Sequence, residues 1–375
     1  MEKSRNSRTF LHYLSLCFGT AGRRALAGLL ASVKARTGPF SLSECLQPAG
    51  MAIVLPEDRG EALLQVRNVV SIAGAMSETR MTVVCESDVA PYFANLQGIS
   101  SVLSYDVEDR FLFSGALSSI AKALAHEGND MCLMLEREPH QSLLCLAAES
   151  GAKIRIGYDG AGEYPYLNIH VRESKDRTYV GDKNVLMAET LGIEPLKSIR
   201  WTVPKESDTE VRHLLRDHGV LGRPTSIVGI DISYLWEYAD AEWVEALVDH
   251  IGRQLGITLY LYVDGAAASG FSEWLRRVGQ PVVANLSALR TVALISRTRV
   301  IISGKAPIFH LSQLVGTRAV GIFQATEIEA YYHESSICKA VSFSEKPDRR
   351  TIEHTGREVA ALLPTSSRIS GAGKK

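Results

Sequence analysis

The 375-residue chain has no excess of charge of either sign, no CxxC pair and no long uninterrupted apolar run. Lysine and arginine together number 41 against 42 aspartate and glutamate. No global field therefore recruits a polyanion, and nucleic acid is not an expected partner. The six cysteines, Cys17, Cys45, Cys85, Cys132, Cys145 and Cys338, are scattered, and some sit in apolar runs such as Met131–Leu135. That distribution fits reduced core residues of a cytosolic protein and argues against a disulfide frame or a zinc site. A transmembrane helix needs about 20 consecutive apolar residues, and no stretch approaches that.

What is present is a chain long enough for two domains, each with its own core. Residues 1–46 stand apart from the rest. There Lys3, Arg5, Arg8, Arg23, Arg24, Lys34 and Arg36 are interleaved with Phe10, Leu11, Leu14, Cys17, Leu26, Leu29, Leu30 and Val33 at helical spacing. Two readings fit: a basic amphipathic segment lying on an anionic membrane surface, or a helix docked on the protein body. A signal peptide fits less well, because Phe10–Gly19 contains His12 and lacks a small-residue cleavage pattern.

From Met51 onward, strand and helix alternate. The pattern predicts strands at Ala52–Leu55, Thr79–Cys85, Ser100–Tyr105, Asp130–Leu135 and Lys153–Gly157, with helices over Gly60–Met76, Ala116–His126 and Gln141–Ser150. A helical stretch over Asp176–Gly192 and a Pro-containing crossover at Glu194–Lys205 lead to a second half of the same design. Helices are expected at Glu206–His218, Ala241–Leu255, Phe271–Val278 and Leu286–Ser296, and strands at Ser226–Ile232, Thr258–Val263 and Pro281–Ala284. The tail from 365, TSSRISGAGKK, reads as disordered.

Arg299–Phe323 condenses the design into one unit. Val300-Ile301-Ile302 is a buried strand, Ser303-Gly304-Lys305-Ala306-Pro307 is a turn with proline placed to begin a helix, and His310 falls in that helix's first turn. Gly316 closes the helix, and Ala319–Phe323 is the next buried strand. Such a unit points a helix N-terminus at the carboxyl edge of a parallel sheet, where backbone N–H groups favour an anion such as a diphosphate.

The order of these elements resembles the heptosyltransferases of glycosyltransferase family 9. The resemblance runs from Met51 to Phe323. It rests on Ala52-Ile53-Val54-Leu55 followed by Asp58-Arg59-Gly60-Glu61-Ala62-Leu63-Leu64, on Asp130–Leu135, Ile154-Arg155-Ile156-Gly157, Asn285-Leu286 before Leu294-Ile295, and on the stretch with His310 and Gly316. It implies an α/β protein of GT-B architecture, with two Rossmann-like parallel-sheet domains facing across a cleft. The domains would be a basic amphipathic extension (1–46), an acceptor domain (47–200), a donor domain (201–364) and the tail (365–375). The implied chemistry is inverting transfer of a sugar such as heptose from a nucleotide-diphosphate donor, ADP-linked in the family, to a hydroxyl of a lipopolysaccharide or other glycan or glycolipid acceptor. Neither a cofactor nor a metal is implied. The implied place is the cytoplasm, at the inner face of the membrane if residues 1–46 touch it.

The resemblance places Glu61 where the family has its catalytic base; on residue chemistry alone, an acid in a first helical turn complements the helix dipole. Asp58 and Arg59 in the same loop are expected to contact the acceptor or to pair with each other. The donor phosphates are expected at Lys305, Ala306, Pro307, His310 and Ser233. Three donor positions depart from the family: Lys305-Ala306-Pro307 replaces an acid, a hydroxyl residue and a glycine; Trp236-Glu237-Tyr238-Ala239 replaces Lys-x-Trp-Pro; and Ala266-Ala267-Ala268-Ser269 stands where a nucleotide-contacting glutamate is expected. These departures fit an active transferase with an altered donor site, or a non-catalytic relative kept for binding or assembly. A sugar-nucleotide epimerase is a third reading; it needs acid/base pairs, for which Glu136, Glu138 and Asp231 are candidates. Tyr331, Tyr332 and His333 complete the residues expected near the substrates.

Overall fold

A computed structural model describes residues 47–363, apart from 112–113, 161–164, 174–178, 197–198, 200, 222–225, 264–271 and 306. The extension 1–46, the tail 365–375, Ala306, the run Ala266–Ser269 and the start of the helix expected from Asp176 lie outside the described residues. The chain divides into two units, one ending at Lys197 and the other beginning at Ser198 and taking in Thr178–Val180.

The first unit is built on six strands: β1 (Gly50–Val54), β2 (Arg80–Glu86), β3 (Ser101–Tyr105), β4 (Met131–Met134), β5 (Ile154–Tyr158) and β6 (Ile169–Val171). All pair in parallel, in the order β3-β2-β1-β4-β5-β6. Every residue of β1, β4 and β5 is buried, as a parallel sheet covered on both faces requires. Strand order reverses between β1 and β4. In open α/β sheets this switch point leaves a crevice outside the carboxyl ends of the two strands, and ligands bind there.

The second unit repeats the plan with β7 (Ile227–Asp231), β8 (Thr258–Val263), β9 (Val282–Ala284), β10 (Val300–Ser303), β11 (Arg318–Gln324) and β12 (Cys338–Phe343). Its order is β12-β11-β10-β7-β8-β9, again wholly parallel, with the switch point between β10 and β7. The core under this sheet joins Val228, Ile230, Leu261, Ile302 and Ile322 to Val244, Leu247 and Ile251 of the helix Ala241–Leu255. That helix begins where Asp240 accepts the Trp243 N–H at 2.9 Å, and it ends at Gly256, whose φ of 60° is left-handed.

Several expectations need correction. The helix expected over Gly60–Met76 is two, Arg59–Leu64 and Val66–Ala75, because the Gln65 N–H turns to the Ala62 carbonyl at 3.1 Å and tightens the turn between them. The described part of the Asp176–Gly192 stretch is likewise divided, into Val180–Asn184 and Leu186–Thr190. The strand expected at Ser226–Ile232 stops at Asp231, which caps a short helix Ile232–Leu235. Strands β6 and β12 and the closing helix Arg349–Leu362 were not anticipated.

Candidate functional site

Both switch points carry the residues singled out above. At the first, the chain leaves β1 through Pro56 and Glu57, and Asp58 adopts the extended conformation of a helix N-cap, its Oδ1 accepting the Glu61 N–H at 2.8 Å. Asp58 thereby starts the helix and fixes Glu61 in its first turn. Arg59 turns to another neighbour: its Nη2 donates to the Tyr92 hydroxyl at 2.9 Å, and its Nε lies 3.9 Å from Asp88.

Across the switch point, the chain leaving β4 supplies Glu136 and Arg137. Glu136 is a structural clasp. Its carboxylate accepts backbone N–H groups of Glu57 (2.9 Å), Arg137 (2.8 Å) and Glu138 (3.2 Å). These bonds tie the loop after β1 to the loop after β4. Arg137, between the two candidate acids Glu136 and Glu138, is the hub of this loop. Its Nε meets Glu173 Oε1 at 2.6 Å, its Nη2 donates to Asn184 Oδ1 at 2.8 Å, and its guanidinium lies 5.1 Å from the centre of the Tyr158 ring. Its remaining Nη1 lies 3.8 Å from Glu61 Oε2.

A second charged group lies at the same sheet edge. Arg110 lies 3.5 Å from Glu57 Oε2 and pairs with Glu86, which is buried. Burial pushes the Glu57 carboxyl above its ordinary range; Arg110 opposes that rise and Glu136 adds to it. The Tyr105 hydroxyl, buried nearby at the end of β3, is held in its neutral form by burial and by the field of Glu57.

At the second switch point, Asp231 ends β7 and Ser303 ends β10. Asp231 is buried, accepting the Ser233 N–H at 3.1 Å and the Ser303 hydroxyl at 2.8 Å. These bonds join the two strands at their carboxyl ends, with Asp231, another of the epimerase candidates, at the junction. The Ser233 backbone N–H is used in the same cap. Gly304 follows, and only a glycine fits there: a Cβ would lie 1.7 Å from the Tyr234 ring. The Tyr234 hydroxyl lies 2.8 Å from Glu327 Oε2 and 3.1 Å from the Tyr238 hydroxyl, so the ring that covers the turn is itself anchored.

Pro307 begins the nine-residue helix Pro307–Val315 and Gly316 closes it at φ 82°. Lys305 Nζ lies 4.2 Å from the centre of the Tyr331 ring, a cation–π contact. His310 is only 2% exposed, with its ring edge-on to Phe309 at 5.6 Å and 6.4 Å from Tyr331. Tyr332 donates to the Cys338 carbonyl at 3.3 Å and His333 stacks on Tyr179 at 5.6 Å. In the Trp236–Ala239 run, Trp236 packs on Trp274 and Tyr238 on Phe343. This edge thus carries a glycine turn, the start of the helix Pro307–Val315 and Lys305.

Two all-parallel six-stranded sheets with flanking helices, each reversing its strand order at the centre, give this protein the two-domain α/β fold of GT-B glycosyltransferases. Within that fold its likeness is to glycosyltransferase family 9. The family 9 glycosyltransferase of Veillonella parvula DSM 2008 aligns with a TM-score of 0.70 and 14% identity, over 86% of this chain and 92% of that one. E. coli ADP-heptose lps heptosyltransferase II aligns at 0.66 and 13%, over 84% and 98%. E. coli heptosyltransferase WaaC with ADP aligns at 0.63 and 12%, over 84% and 100%. By sequence, no family model and no curated protein matches the chain. Among the described residues, no helix is long and apolar enough to cross a membrane.

Proposed function

We propose that this protein is an inverting glycosyltransferase that moves a sugar from a nucleotide-diphosphate donor to a hydroxyl of a glycan or glycolipid acceptor. The observation that carries the reading is Glu61. Its carboxylate stands at the β1/β4 switch point, in a helical turn fixed by the Asp58 cap, with Arg137 Nη1 3.8 Å away. In the reaction, Glu61 takes the proton of the acceptor hydroxyl as that oxygen bonds to the anomeric carbon from the side opposite the leaving group. The bond from the anomeric carbon to the diphosphate breaks, and nucleoside diphosphate departs with the electron pair. The Ser303–Lys305 turn and the N-terminus of the helix Pro307–Val315 receive its negative charge.

The finer assignment follows the structural relatives. One of them is named an ADP-heptose lps heptosyltransferase, so ADP-linked heptose is the first donor to test and a lipopolysaccharide core the first acceptor. An enzyme using a cytosolic sugar nucleotide would work in the cytoplasm, and residues 1–46 would bring it to an anionic membrane surface. A second reading, a non-catalytic nucleotide-sugar or polysaccharide binder, is favoured by one feature: the Lys305 ammonium is occupied by the Tyr331 ring in a turn without the family's hydroxyl.

Thermal-shift titration with ADP, GDP and UDP, followed by an assay of nucleoside diphosphate release from matching sugar donors with and without acceptor, separates these readings. A transferase is stabilised by one nucleotide and releases it faster when acceptor is present, and Glu61→Gln lowers that rate at least about 100-fold. Stabilisation without turnover supports the binder. Full activity in Glu61→Gln removes Glu61 as the base.

A further inference from the structure

The charged loop after β4 has a geometry that the base assignment alone does not explain. A guanidinium carries five N–H donors in a rigid plane, and two edges of this one are already committed inside the first unit. Glu173 holds Nε and Asn184 holds Nη2, the latter residue fully buried, while the Tyr158 ring lies under the plane. A side chain pinned on two edges and one face has no rotamer freedom left. Its third edge, Nη1, faces Glu61 Oε2 at 3.8 Å. That separation is within ion-pair range but longer than a direct hydrogen bond, so the arginine attracts the carboxylate without capturing its lone pairs. Glu173 at 2.6 Å draws on the same positive charge. The two carboxylates therefore share one cation, which lies closer to Glu173 than to Glu61.

We propose that Arg137, fixed by Glu173, Asn184 and Tyr158, is a positioning residue that sets the rotamer of the Glu61 carboxylate for proton abstraction. The inference rests on the transferase reading of Glu61 and adds a residue that acts through it. Nothing in the local sequence announces the arrangement: Glu173 and Asn184 lie 36 and 47 positions from Arg137. Arg137→Lys keeps the charge but loses the fork, and Arg137→Met loses both. Misplacement of a reacting group by about 1 Å can cost about 100-fold in rate.

The test is a double-mutant cycle in the full chain, measured as kcat and acceptor KM, together with crystal structures of the wild type and Arg137→Met. Positioning predicts a kcat loss of about 100-fold in Arg137→Met and about 10-fold in Arg137→Lys, with acceptor KM changed less than about 3-fold. It also predicts that Glu61→Gln/Arg137→Met is no slower than Glu61→Gln alone, because the arginine has nothing left to position. In the crystal, the Glu61 carboxylate leaves its wild-type rotamer when Arg137 is Met. Additive losses, a change confined to KM, or an unmoved carboxylate overturns the proposal; a KM change would make Arg137 an acceptor contact. Should Arg137→Met not fold, Glu173→Ala, which frees Nε but keeps the charge, replaces it, with the roughly 10-fold kcat loss expected of Arg137→Lys and the same shift of the Glu61 carboxylate. A wild type inactive on every donor defeats the transferase reading, while the crystal comparison still decides whether Arg137 sets the rotamer of Glu61.

Discussion

At the scale of single residues, Glu57 shows how a charge can oppose the fold that holds it. Burial raises its carboxyl above the ordinary value of 4.5, against the pull of Arg110. The folded state therefore keeps a proton that the unfolded chain has released. Stability from this group falls as pH climbs through 4.5 toward the raised folded value, and levels off beyond it. Glu57→Gln removes the titration. Thermal melts between about pH 4 and pH 7 should show the variant gaining on the wild type as pH rises; a constant or shrinking difference would mean that the Arg110 pair outweighs the burial. Residue by residue, the sequence revealed less than it did about the fold. Glu61 could be placed at a helix start because the helix expected over Gly60–Met76 begins beside it. Arg137 could not be distinguished from a solvated loop, because its partners come from distant turns of the chain.

At the scale of elements, legibility followed the strength of the local signal. Ala241–Leu255 and Thr258–Val263 lie where periodicity put them, the first because Asp240 and Gly256 mark its ends. Strand β6 has three residues, too few to show a period. In β12, Lys339 and Ser342 interrupt the apolar pattern. The helix Arg349–Leu362 buries Thr351, Thr355 and Gly356 along with its aliphatic residues, so its inner face does not look apolar in sequence. Gln65 divides a helix through its backbone rather than its side-chain type, which no residue pattern registers. Caps, where visible, have measurable weight. Asp240→Ala should lower stability by about 1 kcal/mol in urea titration, because the Trp243 N–H loses its acceptor at a helix start packed on the core. An unchanged midpoint would show that another group or water takes over.

At the scale of the molecule, each unit has its own parallel sheet and hydrophobic core. Separate cores predict separate unfolding. Scanning calorimetry should resolve two transitions, one lowered by Asp240→Ala and the other left in place; one transition moving as a whole would show that the units melt together. The alternation of strand and helix made the two α/β halves readable, and the GT-B architecture came from the resemblance of their order to family 9. The candidate site was readable only as far as the loops that leave these strands, because the contacts that shape it join residues far apart in the chain, Arg137 to Glu173 and Asp231 to Ser303 among them.

The order of the strands also has a consequence in time. All six strands of the first sheet lie upstream of residue 172, whereas the second sheet gets its last strand only at Phe343. With translation running at about 5–20 residues per second, the first sheet is complete roughly ten to thirty seconds before β12 has been made. The nascent chain thus carries a finished domain while β11, the neighbour of β12, still has an open edge. Synthesis interrupted between Gln324 and Cys338 leaves that edge unpaired, and an unpaired strand edge is a template for aggregation.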